Sequence, residues 1–237
     1  DRVGVDTSGV RIENDLFTAS FFVSTDNANN QIASFYPGAM VRSKEYGLRD
    51  ALNVLPDLVV ISPNDPIAMR NYCRECRKTG IRFVYDPGQQ VARVEGKELA
   101  EGLDGCYLLI LNEYEYAALC KKTGYSLDNL LEHVQTLIIT LGNKGADIYS
   151  DGQIIHIPIC HTEKIIDPTG VGDAFRAGIL KGIAHNWDWE LSGKVATVAA
   201  AYALEQSGTQ NHDFSFRDFV KRFRHHFDDD GQLDIMP

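Results

Sequence analysis

The chain has 237 residues, of which 44% are hydrophobic and 24% charged, which excludes disordered, collagen-like and coiled-coil proteins in favour of a sizeable globular domain. A net charge of −10 argues against nucleic acid as a partner, because proteins that neutralise phosphates usually present a basic face. We expect a soluble cytoplasmic protein with no membrane partner, because the sequence has no apolar run of membrane-span length, no secretion signal at its start, and an odd number of cysteines, five, which form no disulfide framework.

Two strand-like runs near the start, residues 16–24 and 31–35, predict a small β lid, which we call the flap. The flap is assigned to residues 14–40, and residues 41–237 are assigned to an α/β core. Apolar side chains, Phe17 among them, fall on both faces of the predicted ribbon, and a two-stranded ribbon is rarely stable alone in water. An uncovered apolar strand invites a partner strand, so the flap predicts a homodimer.

After residue 55, short β-branched apolar runs alternate with longer amphipathic stretches, as in proteins built from βαβ units. The predicted strands cover residues 58–62, 81–86, 107–111 and 137–141. The predicted helices between them cover residues 65–79, 113–122 and 127–133. Gly80 is expected to stop the first of these helices. The pattern predicts a doubly wound α/β fold with a mostly parallel central sheet and helices on both faces.

The last part of the sequence predicts a hairpin followed by helices. The runs 145–150 and 153–157 flank Asp151-Gly152, a dipeptide suited to a tight turn, so an antiparallel edge should close the sheet. Apolar residues at three- and four-residue spacing predict helices over residues 171–185, 189–206 and 216–227. The tail from Asp228 is expected to fray.

The most informative stretch is Asp167-Pro168-Thr169-Gly170-Val171-Gly172-Asp173, which we call the anion loop and which precedes a long helical pattern. Its glycines allow a sharp turn and close approach to a ligand, while the N–H groups and positive dipole of a starting helix attract an anion. A carboxylate beside a phosphate repels it, unless the carboxylate takes a proton from an attacking hydroxyl. The loop therefore predicts phosphoryl transfer; the alternative is that Asp173 only complements the helix dipole.

Four motifs, in the same order along the chain, resemble the ribokinase, or PfkB carbohydrate kinase, family. They are Pro37-Gly38-Ala39, Asn112-Glu113-Tyr114-Glu115, Thr140-Leu141-Gly142-Asn143-Lys144-Gly145 and the anion loop. Longer strings around residues 31–40, 167–178 and 207–210 are most similar to the bacterial adenosine-kinase-like branch. The resemblance implies a ribokinase-like α/β fold. Family members begin with a strand, a Gly-Gly segment and a helix that nothing here matches, so we expect the N-terminal part of the family fold to be absent from this chain.

The resemblance also implies the residues of a phosphoryl-transfer site. Asp173 matches the family's catalytic base, and the amides of Gly170, Val171 and Gly172 match the hole that holds the charge of the transferring group. Asn112 and Glu115 match the pair that organises Mg²⁺. The alternative for this pair is a helix start, with Asn112 at the N-cap and Glu115 at the third helical position. A requirement for K⁺, which some relatives show, stays open.

Two further sets of residues follow from the resemblance. The ATP-binding set is Thr140, Gly142, Gly145 and Gly208. The acceptor-binding set is Gln89, Gln90 and Phe35, in which the two amides would read a purine edge. The competing interpretations are an ordinary strand-to-turn glycine pair, a solvated loop for the two glutamines, and a core or interface role for the aromatic residue.

The function implied is that of an ATP-dependent kinase that transfers the γ-phosphoryl group to the primary hydroxyl of adenosine. One alternative is a sugar kinase of the same fold acting on ribose or fructose, which Met40 disfavours because many sugar kinases of the family have Asn there. The other is a nucleotide-binding regulator without turnover, which Asp173 argues against.

Two other groups of reactive side chains are given structural roles. Cys73 and Cys76 have redox or metal spacing, but they fall in a helical pattern with no second cysteine pair, so we interpret them as two incidental thiols. His156 and His161 have no third ligand nearby in the sequence, and we assign them to packing or solvent.

Overall fold

The structure, a computed structural model, describes residues 4–25, 31–51 and 54–235. It divides into two compact units, the first comprising Asp1–Leu109 and Tyr114–Gln135, the second Ile110–Glu113 and Thr136–Pro237. The division into a flap of residues 14–40 and a core of residues 41–237 stays a prediction.

The strands form a two-stranded ribbon and a larger sheet. The ribbon pairs β1 (Ser20–Thr25) with β2 (Gln31–Tyr36) antiparallel. The other strands described are β3 (Leu58–Ile61), β4 (Arg82–Tyr85), β5 (Cys106–Asn112), β6 (Val134–Thr140), β7 (Ala146–Ser150) and β8 (Gln153–Ile157). They are ordered β3-β4-β5-β6-β7-β8, with β3, β4 and β5 parallel and β6, β7 and β8 antiparallel. This confirms the predicted ribokinase-like α/β fold and its antiparallel edge.

The α-helices of the described residues alternate with these strands and then follow them. They are α1 (Leu48–Ala51), α2 (Pro66–Thr79), α3 (Gly96–Leu103), α4 (Glu113–Thr123), α5 (Leu127–His133), α6 (Val171–His185), α7 (Trp189–Leu204) and α8 (Phe216–His226). In the part of the chain that the structure describes, none of them is long and apolar enough to cross a membrane.

In the first unit, α2 begins one residue after its predicted start and ends at the predicted residue, Thr79. The Asp65 side chain accepts hydrogen bonds from the amides of Ile67 and Ala68 at 3.0 and 3.2 Å, which satisfies donors that the first helical turn leaves free. At the other end Gly80 adopts a left-handed φ of 72°, a conformation that costs glycine little. The helix α3 is missing from the prediction, although Leu99 and Leu103 on one face are both fully buried.

In the second unit, α6 and α7 pack closely enough to require small residues. A Cβ at Gly178 would lie 2.4 Å from the Ala196 Cα, and one at Gly182 would lie 2.1 Å from the Ser192 Oγ. The tight turn between β7 and β8 has positive φ at both Asp151 (50°) and Gly152 (73°), as the predicted hairpin requires.

Two sequence-based predictions about segments are wrong. The first flap strand begins at Ser20, so residues 16–19 precede it and Phe17 lies outside the ribbon. The tail is expected to fray from Asp228, but the described residues 229–235 are held in place. Asp229 is buried and accepts two hydrogen bonds from Arg224, at Nε and Nη2, both 2.9 Å, while the nearby Leu233 is only 1% exposed. Because Arg224 belongs to α8, its two hydrogen bonds to the Asp229 carboxylate hold this segment against that helix.

Candidate active site

The anion loop lies in the second unit and leads directly into α6. Gly170 has a φ of 84° and stands at the N-cap position, and because it has no side chain it cannot cap the amides of the first turn. A Cβ there would lie 3.2 Å from atoms of Thr209, so a larger residue would be strained both in its backbone and in its contacts. At Gly172 a Cβ would meet no atom within 4 Å. The N-terminus of α6 is thus uncapped, a geometry that suits the binding of an anion.

One carboxylate holds this loop together. Asp167 accepts a hydrogen bond from the Thr169 amide through Oδ1 and another from the Gly208 amide through Oδ2, each at 2.9 Å. Hydrogen bonds from the Thr169 hydroxyl and from the Gly208 amide lower the pKa of the Asp167 carboxyl. The sequence-predicted residue Gly208, with a φ of 83°, is therefore joined to the anion loop across 41 positions of chain.

The predicted base, Asp173, lies in the first turn of α6 with its side chain 74% exposed. Its Oδ1 accepts a hydrogen bond from Arg176 Nη2 at 2.7 Å, and the arginine side chain is only 15% exposed. The carboxylate is thus largely exposed to solvent in the first turn of α6. Of the amides predicted to form the hole, that of Val171 already donates to the Pro168 carbonyl at 3.3 Å. Sequence reasoning missed Arg176, which the three-residue spacing from an acid on a helix could have indicated.

The predicted ATP-side loop follows β6 in the same unit. Thr140 ends the strand, and a short 3₁₀ turn at Gly142–Lys144 is closed by a 2.7 Å hydrogen bond from the Leu141 amide to the Gly145 carbonyl. A Cβ at Gly145 would fall 2.0 Å from the Ile157 carbonyl oxygen, whereas one at Gly142 would meet nothing within 4 Å. Gly145 is thus required by packing, and Gly142 leaves its backbone open to a ligand.

The predicted metal residues stand where β5 meets α4. Asn112 is the last residue of β5, and Glu115 is the third residue of α4. Within the described residues, no group of three or more His, Cys, Asp or Glu side chains could hold a metal ion by itself. Mg²⁺ does not need such a group, since it is usually held by one or two carboxylates together with waters and substrate phosphates. An amide oxygen and one carboxylate therefore suit Mg²⁺ in their donor chemistry.

The predicted acceptor-binding residues lie in the first unit, where the two glutamines have different environments. Gln89 is exposed. Gln90 is buried, its Nε2 donates to the Asn64 carbonyl at 2.7 Å, and its Oε1 is buried with no hydrogen-bond partner among the described residues. Gly88, with a φ of 47°, shapes this turn, since a Cβ there would lie 2.6 Å from Pro63 Cγ.

The third acceptor candidate, Phe35, lies on β2 and is half-buried. The Arg93 guanidinium carbon lies 5.8 Å from the centre of its ring, within the range of a cation–π contact. The ring therefore has a defined neighbour within the first unit.

The other reactive side chains have structural environments. Cys73 and Cys76 are fully buried on α2, and burial raises the pKa of their thiols to about 12 and about 11. Neither thiol has the thiolate character of a redox or metal site. His156 Nδ1 lies 2.7 Å from the Asp147 carboxylate on the neighbouring strand, at a largely exposed position.

Comparison with known proteins identifies the relatives of this chain. The model of the family "pfkB family carbohydrate kinase" matches residues 1–215. A nucleoside kinase of Methanocaldococcus jannaschii is 32% identical over 212 residues, which are 88% of this chain and 68% of that protein.

Solved structures agree with the sequence comparison. The nucleoside kinase of Burkholderia thailandensis in complex with inosine superposes with a TM-score of 0.84 at 35% identity, over 90% of this chain and 71% of that one. Its complex with ADP-inosine superposes with a TM-score of 0.83 at 35% identity, over 90% of this chain and 66% of that one.

Proposed function

Because the chain belongs to the pfkB family of carbohydrate kinases, and is thus a kinase with a hydroxyl acceptor, we propose that it phosphorylates a purine nucleoside. In this proposal the γ-phosphoryl group of ATP passes to the primary hydroxyl, with adenosine as the acceptor, and AMP and ADP leave. The nucleoside kinase relatives support a nucleoside over a free sugar. The relative in complex with inosine makes inosine the acceptor to compare with adenosine.

The main support for the proposed chemistry is the geometry of the anion loop. An uncapped helix N-terminus with an open glycine, Gly172, stands one residue from an exposed carboxylate. The amides of this turn would stabilise the negative charge on the transferring group, and Asp173 would take the proton of the attacking hydroxyl. Arg176 donates a hydrogen bond to one oxygen of the Asp173 carboxylate, Oδ1, and so restrains the orientation of the Asp173 side chain. The hydrogen bonds to Asp167 hold the backbone of the loop in place before substrate arrives.

The residues proposed to bind ATP lie in the second unit. Thr140, Gly142, Gly145 and Gly208 are assigned to ATP, with Gly142 as the position where the backbone is open. Asn112 and Glu115 are assigned to Mg²⁺, which when bound would neutralise charge on the phosphates of the nucleotide. Their oxygen atoms are hard ligands of the kind this ion takes.

The proposed acceptor residues are those of the first unit. Gln90 contributes the strongest support, because its Oε1 is a buried acceptor without a partner among the described residues. A buried acceptor left unpaired costs about 1–3 kcal/mol, and the amino group of adenine is a donor of the type it lacks. Gln89 and Phe35 complete the proposed set.

We further propose that the protein is a cytoplasmic homodimer joined through the flap. Phe21 is 53% exposed, Phe22 is 64% exposed and Tyr36 is 44% exposed, so the ribbon carries apolar surface on both strands. Exposed apolar surface of this kind is typical of protein interfaces.

A coupled ADP-release assay tests this function on the protein expressed from its complete gene, with adenosine, inosine, ribose and fructose as acceptors. We expect turnover with the purine nucleosides, loss of turnover when Mg²⁺ is chelated, and little with the free sugars. Faster turnover with ribose or fructose would favour the sugar-kinase alternative. Nucleotide binding without turnover on any acceptor would favour the regulator. Replacing K⁺ by Na⁺ in the same assay decides the K⁺ requirement.

A further inference from the structure

A half-buried ion pair in the second unit joins α8 to the end of α7. Arg222 donates to both carboxylate oxygens of Glu205, from Nη1 at 2.9 Å and from Nη2 at 2.6 Å, and the two side chains are only 16% and 20% exposed. The guanidinium carbon also lies 4.5 Å from the centre of the Tyr202 ring. The Arg222 hydrogen bonds lower the pKa of the Glu205 carboxyl. A bidentate pair that also stacks on an aromatic ring is held in one geometry, unlike an ordinary surface ion pair.

Glu205 connects this pair to the chain that enters the anion loop. The residue follows α7 directly, and the carbonyl of its neighbour Leu204 accepts hydrogen bonds from the amides of Ile166 (2.9 Å) and Asp167 (3.3 Å). The Glu205 carboxylate also accepts a hydrogen bond from the Thr162 hydroxyl, a few residues before the loop. One carboxylate therefore holds α8, the end of α7 and the segment leading to the anion loop.

The chain just beyond Glu205 supports the anion loop a second time. The Gly208 amide donates to the Asp167 carboxylate at 2.9 Å, and Gly170 packs so closely on Thr209 that an added Cβ would lie 3.2 Å from it. Residues 204–209 thus contact the anion loop at Asp167, its first residue, and at Gly170, the N-cap residue of α6. A shift of this segment would disturb Asp167 and Gly170, which precede the amides at the start of α6.

We propose that Arg222 is a positioning residue for phosphoryl transfer, which holds Glu205 and, through it, the segment 204–209 that supports the anion loop. The proposal rests on the proposed kinase function. Preorganised donors stabilise transition-state charge only while they stay aimed at it, and a displacement of about 1 Å far from the chemistry can cost about 100-fold in rate. Arg222 acts through Glu205 and has no part in binding the acceptor.

The kinetic test compares two arginines of the same helix. Arg222→Met removes the pair with Glu205, whereas the control Arg224→Met removes the pairs with Asp229 and Asp234 of the tail. We expect Arg222→Met to lower kcat by about 10-fold to 100-fold, with KM for the nucleoside within about twofold of wild type. Arg224→Met should keep wild-type kcat although it too loses ion pairs. Equal losses of kcat in the two variants would show a general loosening of α8 and overturn the proposal.

Hydrogen exchange gives a readout that does not depend on activity. Peptides covering residues 166–174 should exchange faster in Arg222→Met than in wild type, and at the wild-type rate in Arg224→Met. Unchanged exchange, or unchanged kcat, in Arg222→Met overturns the proposal. If Arg222→Met does not fold, Arg222→Lys, which replaces the fork by one point donor, takes its place in both comparisons, and wild-type behaviour in either then overturns the proposal. Absence of kinase activity in the wild type would refute the proposed function alone, because the exchange comparison measures loop order without turnover.

Discussion

Asp173→Asn should lower kcat strongly and the free energy of unfolding only slightly, because the Asp173 side chain contributes little to the stability of the fold. It is 74% exposed and pairs with Arg176 across one helical turn. The substitution removes that surface pair, worth about 0.2–1 kcal/mol, and a first-turn charge at the positive end of α6, worth about 0.3–1 kcal/mol. We therefore expect the free energy of unfolding to fall by less than about 2 kcal/mol.

The expected loss of activity is larger than this loss of stability. Removing a general base costs about 100-fold or more in kcat, which corresponds to about 2.7 kcal/mol of transition-state stabilisation. The KM for ATP should change little, because the amides of the anion loop remain. The assay is ADP release at saturating nucleoside, with folding checked by thermal unfolding of the same preparation.

Glu190 provides a matched control for this substitution. It is also an exposed acid in the first turn of a helix, α7, and it pairs with Lys194 at 2.7 Å one turn on. Glu190→Gln should reduce stability by a similar amount and leave kcat unchanged. Wild-type turnover in a folded Asp173→Asn variant would refute the assignment, and Asp173 would then only complement the helix dipole.

Three other predictions test the remaining assignments. Replacing Gln89 and Gln90 together by Ala should raise the KM for the nucleoside much more than that for ATP, and equal effects would remove both from the acceptor site. Cys73 and Cys76 should resist a thiol reagent at pH 8 until the protein is unfolded, since burial raises the pKa of their thiols to about 12 and about 11; fast labelling of the folded protein would contradict their burial. The pKa of Asp229 is lowered by its arginine partner, so its stabilisation is present above about pH 4 and is lost as the pH falls through its folded-state pKa. Asp229→Asn should therefore lower the Tm at pH 7 and approach the wild-type Tm near pH 2, and a constant difference across this range would contradict the charge-based account.

Local features of the sequence were sufficient to predict most of the strands and longer helices of the fold. Gly80 after α2 and the Asp151-Gly152 turn need only their own conformational preferences, and both positions have the predicted left-handed backbone. Alternating apolar runs likewise placed β3 to β8 within a few residues. Boundaries and short helices were less predictable, because α3 depends on burial of Leu99 and Leu103, which eight residues of sequence do not reveal.

The contacts that organise the candidate site lie between distant residues, and the sequence pattern does not contain them. The hydrogen bond from the Gly208 backbone amide to the Asp167 side chain joins positions 41 apart. The Gln90 side-chain amide donates to the Asn64 carbonyl, which lies 26 positions earlier. The pair of Arg222 with Glu205 spans 17 positions and two helices. Motif residues were identified from the chemistry of the anion loop and from the family resemblance, whereas the groups that hold them depend on how the chain packs.

Product analysis tests the central claim most directly. The protein, ATP, Mg²⁺ and adenosine or inosine are incubated together, and the products are identified by phosphorus NMR. The proposed function predicts ADP and the nucleoside 5′-monophosphate in equal amounts, with no inorganic phosphate in excess of a control without protein. ADP accompanied by inorganic phosphate, or a phosphorylated product only with ribose or fructose, would contradict it.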